Sequence, residues 1–144
     1  MYQLQKTAHQ LIIALAIIGF ILDRILKFVV SHLPLGKVFA FVPRLDLGYY
    51  LNPALFFFPA WRFIPYLALV ILVVITTYYM LHAKSLPFLV PVLLGGASNV
   101  FDRFAYGGVI DYVHIMGLAT INIADILIFA GLILIMLKTY GQRS

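Results

Sequence analysis

The stretch LIIALAIIGFILDRILK, residues 11–27, contains no polar side chain from Leu11 to Leu22 and then meets Asp23, Arg24 and Lys27. Extended from about His9 to Ser31, the segment at ~1.5 Å rise per residue just crosses a hydrocarbon core of ~30 Å. The apolar run leads straight into charge, with no small-residue cleavage pattern, so it reads as a retained first helix and not as a removed leader.

The rest of the chain fits that environment. Of 144 residues, 64% are hydrophobic and 10% charged. The mean hydropathy is +1.05, and soluble domains are nearer half apolar. So short a chain could not hide this much apolar surface from water, whereas lipid is itself an apolar solvent. The net charge of +5 comes from singly scattered basic residues. That pattern anchors helix ends near anionic lipid and does not make a nucleic-acid surface. With no cysteine, disulfides, thiolate catalysis and cysteine metal sites are excluded.

Three more spans follow, at about residues 63–81, 86–104 and 121–137. The third is interrupted by Pro87, Pro91, Gly95 and Gly96, and its small residues Gly95, Gly96 and Ala97 suit close helix approach. The segment 33–62 is broken by prolines and glycines, and within it residues 37–42 and 45–51 read as short surface strands. Residues 107–119 read as irregular. The expected fold is an all-α membrane protein, one domain over residues 1–144, with four transmembrane helices and a small extracytoplasmic β-like surface segment. Four crossings place Asp23, Asp102, Asp111 and Asp125 at one membrane face whatever the orientation. Both termini inside is the expectation, on a small lysine and arginine bias.

A carboxylate at membrane depth costs at least ~2.5 kcal/mol, so each needs a reason. Asp23 and Lys27, four apart, share a helix face and can be an interfacial ion pair or part of a site. Asn99, Asp102 and Arg103 share another face, where an Asp–Arg pair and a helix-bridging Asn are the plainer reading. Asn122 and Asp125 suit a helix N-terminus by capping and dipole alone. Asp46 reads as a loop residue. Asp111, in Gly-Gly-Val-Ile-Asp-Tyr-Val, has no adjacent basic residue. Two carboxylates close together in a low-dielectric pocket share a proton, so that one serves as base and the other as acid. Spacing does not reveal whether Asp111 and Asp125 meet. His114 stands apart from the other histidines and reads as an interfacial polar residue, with no metal site implied.

Four blocks in this order resemble the lipoprotein signal peptidases, or signal peptidase II. Asp23 and Lys27 match an Asp, three variable residues, Lys motif. Residues 95–103, GGASNVFDR, resemble GGAxGNxxDR; residues 108–112, GVIDY, resemble GxVxDF; residues 121–125, INIAD, resemble FNxAD. Ser98 stands where Gly is usual, Tyr112 and Ile121 where Phe is usual, and Asn52 is followed by Pro53 and Ala54 where the family has NxGxAF. The resemblance implies an intramembrane aspartic endopeptidase in the bacterial cytoplasmic (inner) membrane, with its site near the extracytoplasmic face. Its implied substrate is a diacylglyceryl-modified prolipoprotein, cut just before the lipidated cysteine. Asp111 and Asp125 map onto the catalytic pair. Asn52, Asn99, Arg103 and Asn122 would hold substrate or dyad, and Asp23 and Lys27 would support them. Membrane lipids and globomycin-type inhibitors are implied partners; nucleic acid, metal and organic cofactor are not. Two other readings are a proton-coupled carrier or channel subunit and a catalytically inactive lipoprotein-binding relative.

Overall fold

A computed structural model of the chain describes residues 2–36, 38–42, 45–53, 63–82, 86–115 and 119–141. Among them lie four helices, α1 (Tyr2–Ser31), α2 (Ile64–His82), α3 (Leu86–Tyr106) and α4 (Ile123–Gly141). Four strands accompany them, β1 (Val38–Val42), β2 (Leu45–Asn52), β3 (Val109–Ile115) and β4 (Ala119–Ile121). Residues 1, 37, 43–44, 54–62, 83–85, 116–118 and 142–144 lie outside the described set, so the expected surface segment, residues 33–62, is followed only to Pro53, with gaps at 37 and 43–44.

Each expected helical segment is present, with shifted ends. α1 begins seven residues before His9, because nothing in Gln-Leu-Gln-Lys-Thr-Ala breaks a helix. α3 runs on to Tyr106 and stops at Gly107, whose φ of +76° ends a helix where a side chain would be strained. α4 starts after Asn122. It is also the one helix among the described residues that is long and apolar enough to cross a membrane by length and composition.

α3 packs against each of the other three helices, most extensively against α4. Gly95 explains how close they come. A Cβ there would sit 2.4 Å from the Ala124 carbonyl oxygen and 2.9 Å from Ile128 Cγ1. No larger residue fits unless the first turn of α4 moves. Gly96 plays a softer version of this part against Leu72, while Ala97 is exposed.

The sheet corrects one expectation. Residues 107–119 are not irregular: β3 and β4 join β1 and β2 in one antiparallel sheet of order β1-β2-β3-β4. The strand signal is hidden because β3 is buried on both faces over residues 109–112, which removes the alternation that marks a surface strand. Asp46, expected in a loop, lies in β2 opposite His114, and the register sets Tyr50 opposite Asp111 and Asn52 opposite Val109. β2 and β3 are separated by two helices in the chain, so this pairing is a product of the tertiary fold.

The distribution of polarity is inverted relative to a soluble domain. Asp23, Lys27, Ser98, Asn99, Asp102, Asp111 and Asn122 are buried, while Leu11, Ile18, Phe28 and Phe129 face outward. An apolar exterior over a satisfied polar interior is the arrangement expected of a chain dissolved in lipid.

Candidate active site

Asn122 is where the site is assembled. It caps α4 in a reciprocal box: the Asp125 N–H donates to Asn122 Oδ1 at 2.8 Å and the Asn122 N–H donates to Asp125 Oδ2 at 3.3 Å. The same side chain donates through Nδ2 to Asp111 Oδ1 at 2.7 Å. Asn122 therefore bonds to both aspartates, to Asp111 through its side chain and to the Asp125 carboxyl through its backbone N–H. The helix-cap reading of Asn122 and Asp125 is realised, and the capping residue is the one that reaches Asp111.

Asp111, on β3, is 1% exposed. Its Oδ2 accepts from Thr120 Oγ1 at 2.8 Å and from Asn52 Nδ2 at 3.3 Å. Burial pushes its carboxyl up to about 6, with the Asp125 charge adding to the rise, against the opposing pull of the Thr120, Asn52 and Asn122 donors. Asp125 receives Asn99 Nδ2 at 2.7 Å. The Asp125 charge thus reaches Asp111, and Asn122 bonds to both residues.

A second polar cluster lies beside the first. Lys27 Nζ reaches Asp102 Oδ2 at 2.8 Å, Asp23 Oδ2 at 3.1 Å and Asn99 Oδ1 at 2.8 Å. Arg24 pairs with the other Asp102 oxygen at 2.5 Å. Two acids and two bases balance, as burial requires. Here one expectation is corrected: the cation paired with Asp102 is Arg24 together with Lys27, while Arg103, the adjacent residue, donates to the Asn99 carbonyl at 3.1 Å. Being next to Asp102 in the chain puts Arg103 about 100° round the helix, pointing elsewhere.

Asn99 joins the clusters. Its oxygen faces the Lys27 ammonium, which can only donate, so its amide nitrogen must face Asp125. Lys27 thereby sets the direction of a bond it does not make.

Four contributors escaped the sequence reading. Arg24, Ser98, Thr120 and Tyr112 have no motif role beyond neighbouring residues that do. Ser98 Oγ donates to Asp23 Oδ2 at 2.6 Å, and Tyr112 OH donates to Asp23 Oδ1 at 2.9 Å. The Tyr112 oxygen accepts the Ile123 N–H at 2.8 Å, tying β3 to the start of α4. Burial, aided by Asp23, holds the Tyr112 hydroxyl above the usual tyrosine range, so it stays a donor. The positions where Ser and Tyr replace Gly and Phe thus supply one hydroxyl to each oxygen of Asp23. His114 sits on the sheet, its Nδ1 3.6 Å from Asp46 Oδ2 and its ring 5.2 Å from that of Tyr50. Among the described residues no group of three or more histidines and carboxylates converges on a possible metal position.

Asp111 and Asp125 open onto a cavity of about 500 Å³. Its polar end is completed by Asn52, Asn99 and Arg103, and its body runs between Ala68, Leu72 and Ile75 of α2, Val92 of α3 and Ile128 and Phe129 of α4. A polar head on an apolar trough fits a ligand that is polar at one end and apolar along its body.

The family model described as Signal peptidase (SPase) II matches residues 15–140. A lipoprotein signal peptidase of Blochmanniella pennsylvanica is 32% identical over 142 residues, covering 88% of this chain and 86% of that protein. One from Streptococcus pyogenes serotype M2 is 32% identical over 134 residues, covering 85% and 88%. In fold, the chain is similar to a bacterial membrane enzyme solved by the in meso method at 2.3 Å resolution, with a TM-score of 0.76, 20% identity, and coverage of 96% of this chain and 90% of that one. With the family model matching most of its length, the chain belongs to the signal peptidase II family.

Proposed function

We propose that this protein removes the signal peptide from diacylglyceryl-modified prolipoproteins, as an aspartic endopeptidase that crosses the bacterial cytoplasmic membrane four times. The observation that carries the reading is that Asn122 bonds both carboxyls, Asp111 through its side-chain amide and Asp125 through its backbone N–H, at the polar head of an apolar cavity. Family membership supplies the substrate class. The signal peptide and acyl chains occupy the apolar body, and the bond before the lipidated cysteine lies at the head.

The chemistry follows from the shared proton. The ionised acid of the pair takes a proton from a water molecule, and the oxygen of that water attacks the scissile carbonyl carbon. The protonated acid gives its proton to the carbonyl oxygen. Collapse of the tetrahedral species breaks the C–N bond, and a proton delivered by the dyad leaves on the cysteine amine. Asn52, Asn99 and Asn122 hold the two carboxyls apart and oriented, Arg103 faces the reacting backbone, and Asp23 with Lys27 fixes the frame behind them. The sheet lies over the site at the extracytoplasmic face. Globomycin-type peptides would compete for the same cavity.

The purified protein is expected to cut a diacylglyceryl-modified prolipoprotein and leave the same protein unmodified at its cysteine intact; equal cleavage of both, or of neither, would overturn the substrate assignment. For orientation, an Ala105→Cys variant, at an exposed position near the end of α3, is expected to react with an impermeant maleimide in intact spheroplasts. Reaction only after lysis would place the site at the cytoplasmic face.

A further inference from the structure

We infer that Thr120, on β4, is the positioning residue that lets Asp111 take up and release the proton of the pair. This rests on the aspartic reading above. The partners of the two acids differ in kind. Asp125 is met by the Asn99 amide and the Asn122 backbone N–H, and both can only donate. Asp111 Oδ1 is met by the Asn122 amide, again a donor only. At Asp111 Oδ2, Thr120 Oγ1 lies at 2.8 Å, closer than Asn52 at 3.3 Å. A hydroxyl is the one partner among the described residues that can reverse, donating to the carboxylate and accepting from the acid. Fixed donors stabilise charge and oppose protonation. A proton arriving at Asp111 therefore belongs on Oδ2, where the Thr120 hydroxyl turns to receive it.

The fold holds Thr120 in place. β4 pairs with β3 through His114↔Thr120, so the hydroxyl is presented by the neighbouring strand of the same sheet. Other titratable groups around the pair are Arg103 of α3, Asp23 and Lys27 of α1, and Tyr50, which lies opposite Asp111 on β2.

The test is the pH dependence of kcat and KM for Thr120→Val and Thr120→Ser with lipid-modified prolipoprotein, with Asp111→Asn as a parallel arm. Valine keeps the shape and removes the hydroxyl. The hydroxyl serves both forms, but its bond to the ionised carboxylate is the stronger, because a charged acceptor holds a donor more tightly than a neutral one; its loss therefore disfavours the ionised form more, and protons bind more readily. Both limbs of the pH profile then move to higher pH, by about half a unit to one unit, and kcat falls about tenfold with KM within twofold. Serine restores the wild-type profile. An unmoved profile in Thr120→Val, whether or not its rate or melting temperature falls, overturns the assignment to Thr120. Activity retained in Asp111→Asn instead overturns the aspartic reading itself.

Discussion

Replacing Asp111 or Asp125 by asparagine is expected to lower kcat/KM for lipid-modified prolipoprotein about 10³-fold or more. The amide keeps the size of the carboxyl and removes its ability to exchange a proton. It also faces a wall of donors: at Asp111 these are Asn52, Thr120 and Asn122. Stability should change little. The Asp111 carboxyl is raised to about 6 chiefly by burial, so its ionised form is held at a cost that a neutral amide removes. The amide NH2 in turn meets donors at a buried site, which costs in the other direction, so the melting temperature of Asp111→Asn in detergent should stay within a few degrees of the wild type. The double variant should lose little more activity than either single one, because the two acids act as a unit. More than a tenth of the wild-type rate in either single variant would exclude the dyad.

The second large effect concerns a residue remote from the reacting bond. Lys27→Met removes a fully buried cation from contact with two fully buried carboxylates, at 3.1 Å and 2.8 Å. Arg24 still neutralises Asp102, but Asp23 is left without its cation. Breaking a buried pair from one side costs on the order of 3–5 kcal/mol, so thermal unfolding should begin many degrees lower. Activity should fall as well, because the Asn99 amide loses the donor that fixes its direction at 2.8 Å. A second change separates these effects. Adding Asp23→Asn to Lys27→Met removes the orphaned charge and should recover at least half of the lost stability, with Tyr112 and the Ala124 N–H still bonding to the amide oxygen and the Ser98 hydroxyl turning to accept from the new NH2. The rate should not recover, because Asn99 remains unguided. Full recovery of both would reduce Lys27 to a counter-ion for Asp23.

These two experiments bear on different parts of what the chain reveals by itself. The helical segments are legible in the residues because apolar runs such as Leu11–Leu22 persist far longer than any strand, and their charges fall at the ends. Asp23 and Lys27 are legible as a pair because they are one helical turn apart, and Asn122 with Asp125 as a cap for the same reason. The strand Val109–Ile115 is not legible, since burial on both faces removes its alternation. Nor is the partner of Asp102, because Arg24 comes from another helix, 78 positions away.

What the sequence determined alone was therefore local: the helices, a cap, an ion pair one turn long, and the family blocks in their order. Tertiary structure decided which polar side chains meet. Asp111 and Asp125 stand on a strand and a helix joined through Asn122. The Asp23 oxygens are satisfied by Ser98, Tyr112 and the Ala124 N–H, the last 101 positions distant. The physical reason is that a buried polar group must find its partners wherever packing brings them. In this fold α3 threads between the other helices, so those partners come from every part of the chain.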